Sequence, residues 1–210
     1  MRPPDGMPDE VLIQKSKNGD LEAFEQLVRR YESKVYTIAY RFMGNHADAL
    51  DLAQETFLRL YQALPGFRGE SSFMTWLYRI AANACRDEIR RQQKHGLLSL
   101  DGGNSGGGEA AAGDCCTARH NLGAAIVSPE EALERRELNE AIQKCLNSLS
   151  PEHRLVLVMR EIQGMSYEEI AGVMNCSLGT VKSRLNRARH SFKEKFHEKW
   201  ELLSRNSRLP

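Results

Sequence analysis

The sequence predicts an all-α protein, in which two small helical domains are joined by a flexible Gly-rich linker and the second contains a helix-turn-helix. Three observations predict it. Apolar residues recur at helical spacing through both halves, and no segment shows the strict alternation of a half-buried strand. Helix punctuation brackets those runs, with starts such as Ser166/Glu169 and Ser128-Pro129-Glu130-Glu131 and stops such as Asn18-Gly19 and Gly44-Asn45. Between the halves lies LDGGNSGGGEAAAGD, which has almost nothing to bury. A chain of 210 residues is long enough for two cores, with boundaries at 1–94, 95–127 (the linker) and 128–203.

In the first half, 11–17 is predicted as a short helix closed by Asn18-Gly19, with Asp20 capping the next. Phe24, Leu27, Val28, Tyr31, Val35, Ile38, Ala39 and Phe42 then mark a long buried face that Gly44-Asn45 ends. A third helix, about 47–64, turns Ala49, Leu52, Ala53, Thr56, Leu60 and Leu64 inward. Asp48, Asp51 and Glu55 fall at i, i+3 and i+7 with Gln54 alongside, an acidic stripe suited either to water or to a basic partner. Pro65-Gly66 opens the loop PGFRGESSF, which carries Phe67 and Arg68 between two glycines and leads to a helix starting near Ser72. Phe73, Trp76, Leu77, Ile80 and Ala84 share one face of that helix, whereas Arg79, Asn83, Arg86 and Arg90 share another. Aromatic rings beside a cationic stripe suit unstacked bases, which need a stacking platform and a charged track for the backbone. A packed helical core accounts for Phe73 and Trp76 equally, and for Phe67 less readily.

The second half opens with a helix whose apolar face is Leu133, Leu138, Ala141, Ile142 and Cys145, closed by Leu149. Ser150-Pro151-Glu152 starts another, offering Leu155, Val156, Val158, Met159 and Ile162 to the core and ending at Gly164. Residues 166–193 then read as a helix-turn-helix. Ser166 and Glu169 form a capping box, Asn175 tolerates the left-handed conformation that ends a helix, and Ser177 caps a second helix that carries Val181, Leu185, Ala188 and Phe192 inward. Its opposite face presents Lys182, Ser183, Asn186, Arg187 and Arg189, side chains able to bond base edges and phosphates in a major groove. A solvated basic face is the bland account of an isolated helix; the tight turn between two capped helices favours the DNA reading.

The net charge of +1 hides an asymmetry, because Lys182, Arg184, Arg187, Arg189, Lys193, Lys195 and Lys199 face only Glu194 and Glu198. A local positive field without a large total charge suits phosphate attraction but not indiscriminate coating of nucleic acid. Five cysteines, Cys85, Cys115, Cys116, Cys145 and Cys176, show no C-x-x-C spacing and are expected to stay reduced, with Cys145 and Cys176 as small core residues. Cys115-Cys116 with His120 lacks a second ligand pair, so neither metal nor cofactor is expected. The six histidines are scattered without a nucleophile–base spacing, and GGNSGGGE lacks the Lys and flanking strand of a phosphate loop, so no enzyme is expected. No apolar run is long enough to span a bilayer, and the expectation is a soluble, cytoplasmic protein.

Together these motifs resemble a bacterial RNA polymerase sigma factor of the extracytoplasmic-function group. DALDLAQETFLRLYQAL resembles that family's core-binding helix, FRGESSFMTWLYRIAANACRDEIRR its promoter-melting and minus-ten segment, and SYEEIAGVMNCSLGTVKSRLNRAR its minus-thirty-five reader. The YEEIA and NC-x-x-GTVKSRL forms are most similar to the envelope-stress branch. The resemblance implies that Asp48, Asp51, Gln54 and Glu55 bind the clamp helices of the polymerase's largest subunit. It implies that Phe67 and Arg68 hold a flipped base of the minus-ten non-template strand, with Arg79, Asn83 and Arg86 along that strand. Lys182, Ser183, Asn186 and Arg187 would read the minus-thirty-five duplex, and Arg184 and Arg189 would contact its phosphates. The second domain would also dock on the flap of the second-largest subunit, and an anti-sigma protein would mask the polymerase-binding surfaces. The linker is longer and richer in glycine than the family's usual one. A conventional dimeric helix-turn-helix regulator explains 166–193 equally but leaves the Phe67 loop and the acidic helix without a role.

Overall fold

The computed structural model describes residues 7–98 and 128–206, and every regular element among them is helical. The first domain holds α1 (Asp9–Lys17), α2 (Leu21–Met43), α3 (His46–Ala63), a 3₁₀ turn (Leu64–Gly66) and α4 (Phe73–Leu98). The second holds α5 (Pro129–Asn147), α6 (Pro151–Leu157) running on into a π turn (Val158–Ile162), α7 (Tyr167–Met174) and α8 (Leu178–Asn206). The Gly-rich stretch with Cys115, Cys116 and His120 lies outside the described residues, although α4 continues to Leu98, past the expected boundary at residue 94.

The helices begin where side chains satisfy their free backbone donors. Asp20 accepts from the Ala23 amide at 3.0 Å, Asn45 from Asp48 at 2.9 Å and Ser128 from Glu131 at 3.2 Å. Gly44 ends α2 at φ 88°, and it is glycine for a second reason. A Cβ there would come within 2.3 Å of the Asn147 side chain, which belongs to the other domain.

α2 pairs with α3 as a hairpin, α1 lies on α2, and α4 packs across α3 and α2. Leu12, Leu27, Ile38, Phe42, Leu60 and Leu77 are fully buried between them, each contributing about 1.5–3 kcal/mol. In the second domain α6 and α7 pack on α8 around Val156, Met159, Ile170, Val181, Leu185 and Ala188. Three expectations from periodicity fail here. Leu133 and Leu138 are exposed, because residues 131–140 of α5 extend past the core and stay open to solvent, although Arg41 of the first domain donates to Asn139 at 3.2 Å. Ile162 is exposed because the π turn, closed by Gln163 donating to the Val158 carbonyl at 3.2 Å, rotates it out of the helical register. Cys176 is half-exposed in the turn before α8 rather than in the core.

The two domains pack directly on each other, α2 against α5 and α6, and α4 against α7. The seam is polar. Arg154 on α6, 8% exposed, donates to the Phe42 carbonyl at the end of α2, to the Asn147 carbonyl at 2.6 Å and to the Leu149 carbonyl at 3.4 Å. Its guanidinium also lies 5.6 Å from the Phe42 ring, and burial pulls its pKa below the ordinary value. Gln143 donates to the Arg41 carbonyl at 3.1 Å, and Tyr78 donates to Gln163 at 2.7 Å.

Candidate nucleic-acid interface

The helix-turn-helix forms as the local sequence dictates. The Ser166 hydroxyl accepts from the Glu169 amide at 3.1 Å while the Glu169 carboxylate accepts from the Ser166 amide at 2.8 Å, a complete capping box on α7. Asn175 takes φ 50° and ends α7, and the Cys176 amide returns to the Ala171 carbonyl at 3.1 Å. Ser177 then caps α8 through the Thr180 amide at 3.1 Å. Val181, Leu185 and Ala188 face inward, and Phe192 is half-buried. Lys182, Ser183, Asn186 and Arg187 are exposed along the opposite face, and the Ser183 hydroxyl bonds the Thr180 carbonyl at 3.0 Å. Arg184 and Arg189 differ from these four. Arg184 donates to Glu152 at 2.8 Å, and two nitrogens of Arg189 converge on Glu161 at 2.6 and 2.9 Å.

In the first domain the loop after the 3₁₀ turn brings Phe67 back onto α4. Its ring is half-buried, 4.7 Å from Trp76 and 5.8 Å edge-on from Phe73, and the three rings form one cluster. Arg68 next to it is exposed, and Gly69 at φ 76° turns the chain toward Ser72, whose hydroxyl caps α4 at Thr75. Arg79 and Asn83 are exposed further along α4, and Arg86 is half-buried. Arg86 donates to Asn83 at 3.1 Å, to Glu152 at 3.1 Å and to the Met174 sulfur at 3.0 Å. Phe67 thus packs on Phe73 and Trp76 in the first turn of α4, and Arg79, Asn83 and Arg86 follow at helical spacing further along it, the last turned toward Glu152 and Met174.

The acidic stripe on α3 is a separate face. Asp51, Gln54 and Glu55 are exposed beside exposed Leu50 and Leu58, an apolar and anionic surface combined. Asp48 is half-buried and held by the Asn45 side chain at 2.8 Å, so it serves the helix start as well. Arg59 bridges Glu55 at 2.7 Å and Asp87 of α4 at 2.6 Å, which fixes α3 against α4.

Sequence reasoning missed one residue that joins these faces. Glu152, read only as part of a helix start, accepts from Arg86 of the first domain and from Arg184 of the second, one on each carboxylate oxygen. No local pattern reveals such a contact, because its partners lie far along the chain in both directions. Among the described residues no group of three His, Cys, Asp or Glu side chains is placed to hold a metal ion, and no helix is long and apolar enough to cross a membrane. Cys85 is enclosed between the helices, where burial pushes its thiol up to about 12.

Known proteins share both the sequence and the fold. The Sigma-70 region 2 family model matches residues 27–95, which contain the α3 stripe and the Phe67 loop, and the Sigma-70 region 4 model matches 139–191, which contain all but the last two residues of the helix-turn-helix. The ECF RNA polymerase sigma-E factor of Salmonella typhimurium (strain LT2) is 36% identical over 191 residues, 89% of this chain and 93% of the relative. The RNA polymerase sigma-H factor of Pseudomonas aeruginosa is 38% identical over 187 residues, 87% and 91% of the two chains. Among solved structures, CnrH in complex with the cytosolic domain of CnrY aligns with TM-score 0.58 at 26% identity, covering 89% of this chain and 95% of that one. The Bartonella quintana sigma factor RpoE in complex with the anti-sigma factor NepR shares the fold with TM-score 0.62 at 23% identity, covering 83% and 96%. With a region 2 and a region 4 in order, and with relatives alike over nearly their whole length, the chain belongs to the extracytoplasmic-function family of RNA polymerase sigma factors.

Proposed function

We infer that this sigma factor binds core RNA polymerase through the α3 face and reads a promoter at two points, the minus-thirty-five duplex with α8 and the melted minus-ten non-template strand with the Phe67 loop and α4. The observation that carries this reading is the presence of two different nucleic-acid faces on one chain. α8 offers exposed Lys182, Ser183, Asn186 and Arg187 for a groove, whereas the first domain offers an aromatic cluster next to Arg68, with Arg79, Asn83 and Arg86 further along α4, for unpaired bases. Arg184 and Arg189, at the edge of the reading face, suit phosphates once they leave the carboxylates of Glu152 and Glu161. Flipping a base costs a few kcal/mol, and stacking against an aromatic ring offsets part of it. Tethering both readers to one polymerase raises their effective concentration on a promoter of matching spacing, and two weak contacts become one selective event.

The domain division 1–94, 95–127 and 128–203 follows the same logic, with the C-terminal domain also docking on the second-largest subunit of the polymerase. Glu152 engages Arg86 across the seam and Arg184 within its own domain, so use of Arg86 on a promoter strand requires the two domains to separate, whereas Arg184 has only to leave the carboxylate. The protein is an initiation factor acting in the cytoplasm on DNA, with the covalent chemistry left to polymerase. A sigma factor of this fold solved with its anti-sigma factor, and CnrH solved with the cytosolic domain of CnrY, support a protein inhibitor for this chain as well. A dimeric regulator is disfavoured by the α3 face and the Phe67 loop, which such a protein does not need.

Reconstitution tests the reading. The full chain mixed with core polymerase should direct initiation from an asymmetric promoter, and Asp51→Arg with Glu55→Arg should abolish core binding. Retention of core binding by that double variant would remove α3 from the interface, and failure of the wild-type chain to bind core at all would overturn the function.

A further inference from the structure

Helix α1 lies outside both nucleic-acid faces, yet it grips the aromatic cluster at two places. At its C-terminal end Lys17, half-buried, donates from Nζ to the Phe67 carbonyl, fifty residues further along the chain, and its ammonium lies 5.8 Å from the centre of the Phe67 ring. At its N-terminal end the Asp9 carboxylate accepts from Arg30 and from the Tyr31 hydroxyl. The Tyr31 ring then sits 5.4 Å from Phe73, which itself meets Phe67. A lysine ending a helix ordinarily finds its own last carbonyls. This one instead reaches into a loop that contains Gly66 and Gly69, the second at φ 76°, where the backbone has little of its own to hold it.

We propose that Lys17 is a positioning residue of the minus-ten reader: by holding the Phe67 carbonyl and lying against the ring, it fixes the Phe67 loop in the conformation that receives an unstacked base. The proposal rests on the reading of that loop as the strand-capture site. A loop residue left to sample many conformations must lose that freedom when a base arrives, and the loss is subtracted from affinity. Lys17 imposes the order beforehand. A hydrogen bond from an ammonium to a carbonyl is strong enough to matter at this level, and the ring contact adds to it. Because Lys17 acts through Phe67 and not on a phosphate, its loss should leave the number of neutralised phosphates unchanged.

The test uses holoenzyme assembled from core polymerase and the full chain as wild type, Lys17→Met, Lys17→Arg, Phe67→Ala and the Lys17→Met/Phe67→Ala pair. The probe is a labelled single strand selected by wild-type holoenzyme from a randomised pool. Lys17→Met should weaken strand binding by about tenfold, with Lys17→Arg recovering most of it and the melting temperature and core affinity kept. The double variant should bind no more weakly than Phe67→Ala, and the slope of affinity against salt should be the same for wild type and Lys17→Met. Multiplicative losses in the double variant, or a salt slope lowered by about one, would make Lys17 a direct strand contact and overturn the proposal. Loss of core affinity in parallel with strand affinity, without rescue by arginine, would reduce it to a folding residue. If Phe67→Ala weakens the strand and Lys17→Met does not, only the role of Lys17 falls; if Phe67→Ala has no effect, the strand-capture reading falls and takes the proposal with it.

Discussion

Replacing Glu152 with Gln removes the one carboxylate that holds an arginine from each domain, at 3.1 Å for Arg86 and 2.8 Å for Arg184. The Glu152 side chain is 40% exposed, and the arginines are 19% and 32% exposed, so neither pair has the strength of a buried one. One pair of this kind is worth about 0.2–1 kcal/mol. Wild-type protein must give up that energy before Arg184 reaches a phosphate, and Glu152→Gln need not. The free chain, without polymerase, should therefore bind the duplex upstream fragment of a promoter from which its holoenzyme initiates about 1.4- to fivefold more tightly as Glu152→Gln. Fluorescence anisotropy on the full chain measures this. Removing any anionic side chain near DNA also raises affinity, so Glu168→Gln on the exposed side of α7 supplies the control: it makes the same charge change and releases no arginine. In an Arg184→Ala background the gain from Glu152→Gln should shrink. Equal gains from Glu152→Gln and Glu168→Gln, or no gain from the first, would refute the idea that Glu152 withholds the DNA-reading arginines.

Three further outcomes follow from other parts of the molecule. Arg187→Ala should weaken upstream duplex binding by roughly 1–3 kcal/mol and leave core polymerase affinity unchanged; loss of core affinity in a pull-down would overturn the division between the two domains. Arg154→Met would leave the Phe42, Asn147 and Leu149 carbonyls short of a donor, and a urea titration should show a loss of about 2–6 kcal/mol, since the Phe42 and Leu149 contacts are buried and each unsatisfied buried group costs about 1–3 kcal/mol. Cys85 sets a pH dependence. Its thiol is neutral in both folded and unfolded chains below its ordinary 9.0, so stability there is indifferent to it. Above that value the unfolded chain ionises while burial holds the folded thiol near 12, and stability should fall with rising pH by up to about 1.4 kcal/mol per unit. Urea midpoints at pH 8 and pH 10 measure the slope, which Cys85→Ala should flatten.

What the sequence revealed divides by distance along the chain. The helix-turn-helix was legible because everything that shapes it is local: Ser166 and Glu169 are three apart, and Asn175 needs only its own backbone to turn left-handed. Helix faces with a partner were legible too, as with Val181, Leu185 and Ala188. Periodicity says which residues share a face and not whether anything covers it, which is why Leu133 and Leu138 were misplaced on an arm open to solvent. It also assumes a constant pitch, which the π turn at 158–162 breaks for Ile162. The candidate site residues were found as sets, each on its own element, but their relation to one another was hidden. Arg86 and Arg184 meet through Glu152, and Phe67 is held by Lys17, across separations that no window along the sequence spans.

The shared carboxylate also bears on how fast the chain changes partners. Glu152 presents one oxygen to each arginine, and both contacts are partly open to water. An approaching phosphate can take Arg86 while the carboxylate keeps Arg184, so the domains can part through a half-exchanged state in which neither guanidinium is left without an anion. Opening by such a route is catalysed by the incoming polyanion, and its rate should rise with DNA concentration instead of waiting on spontaneous separation.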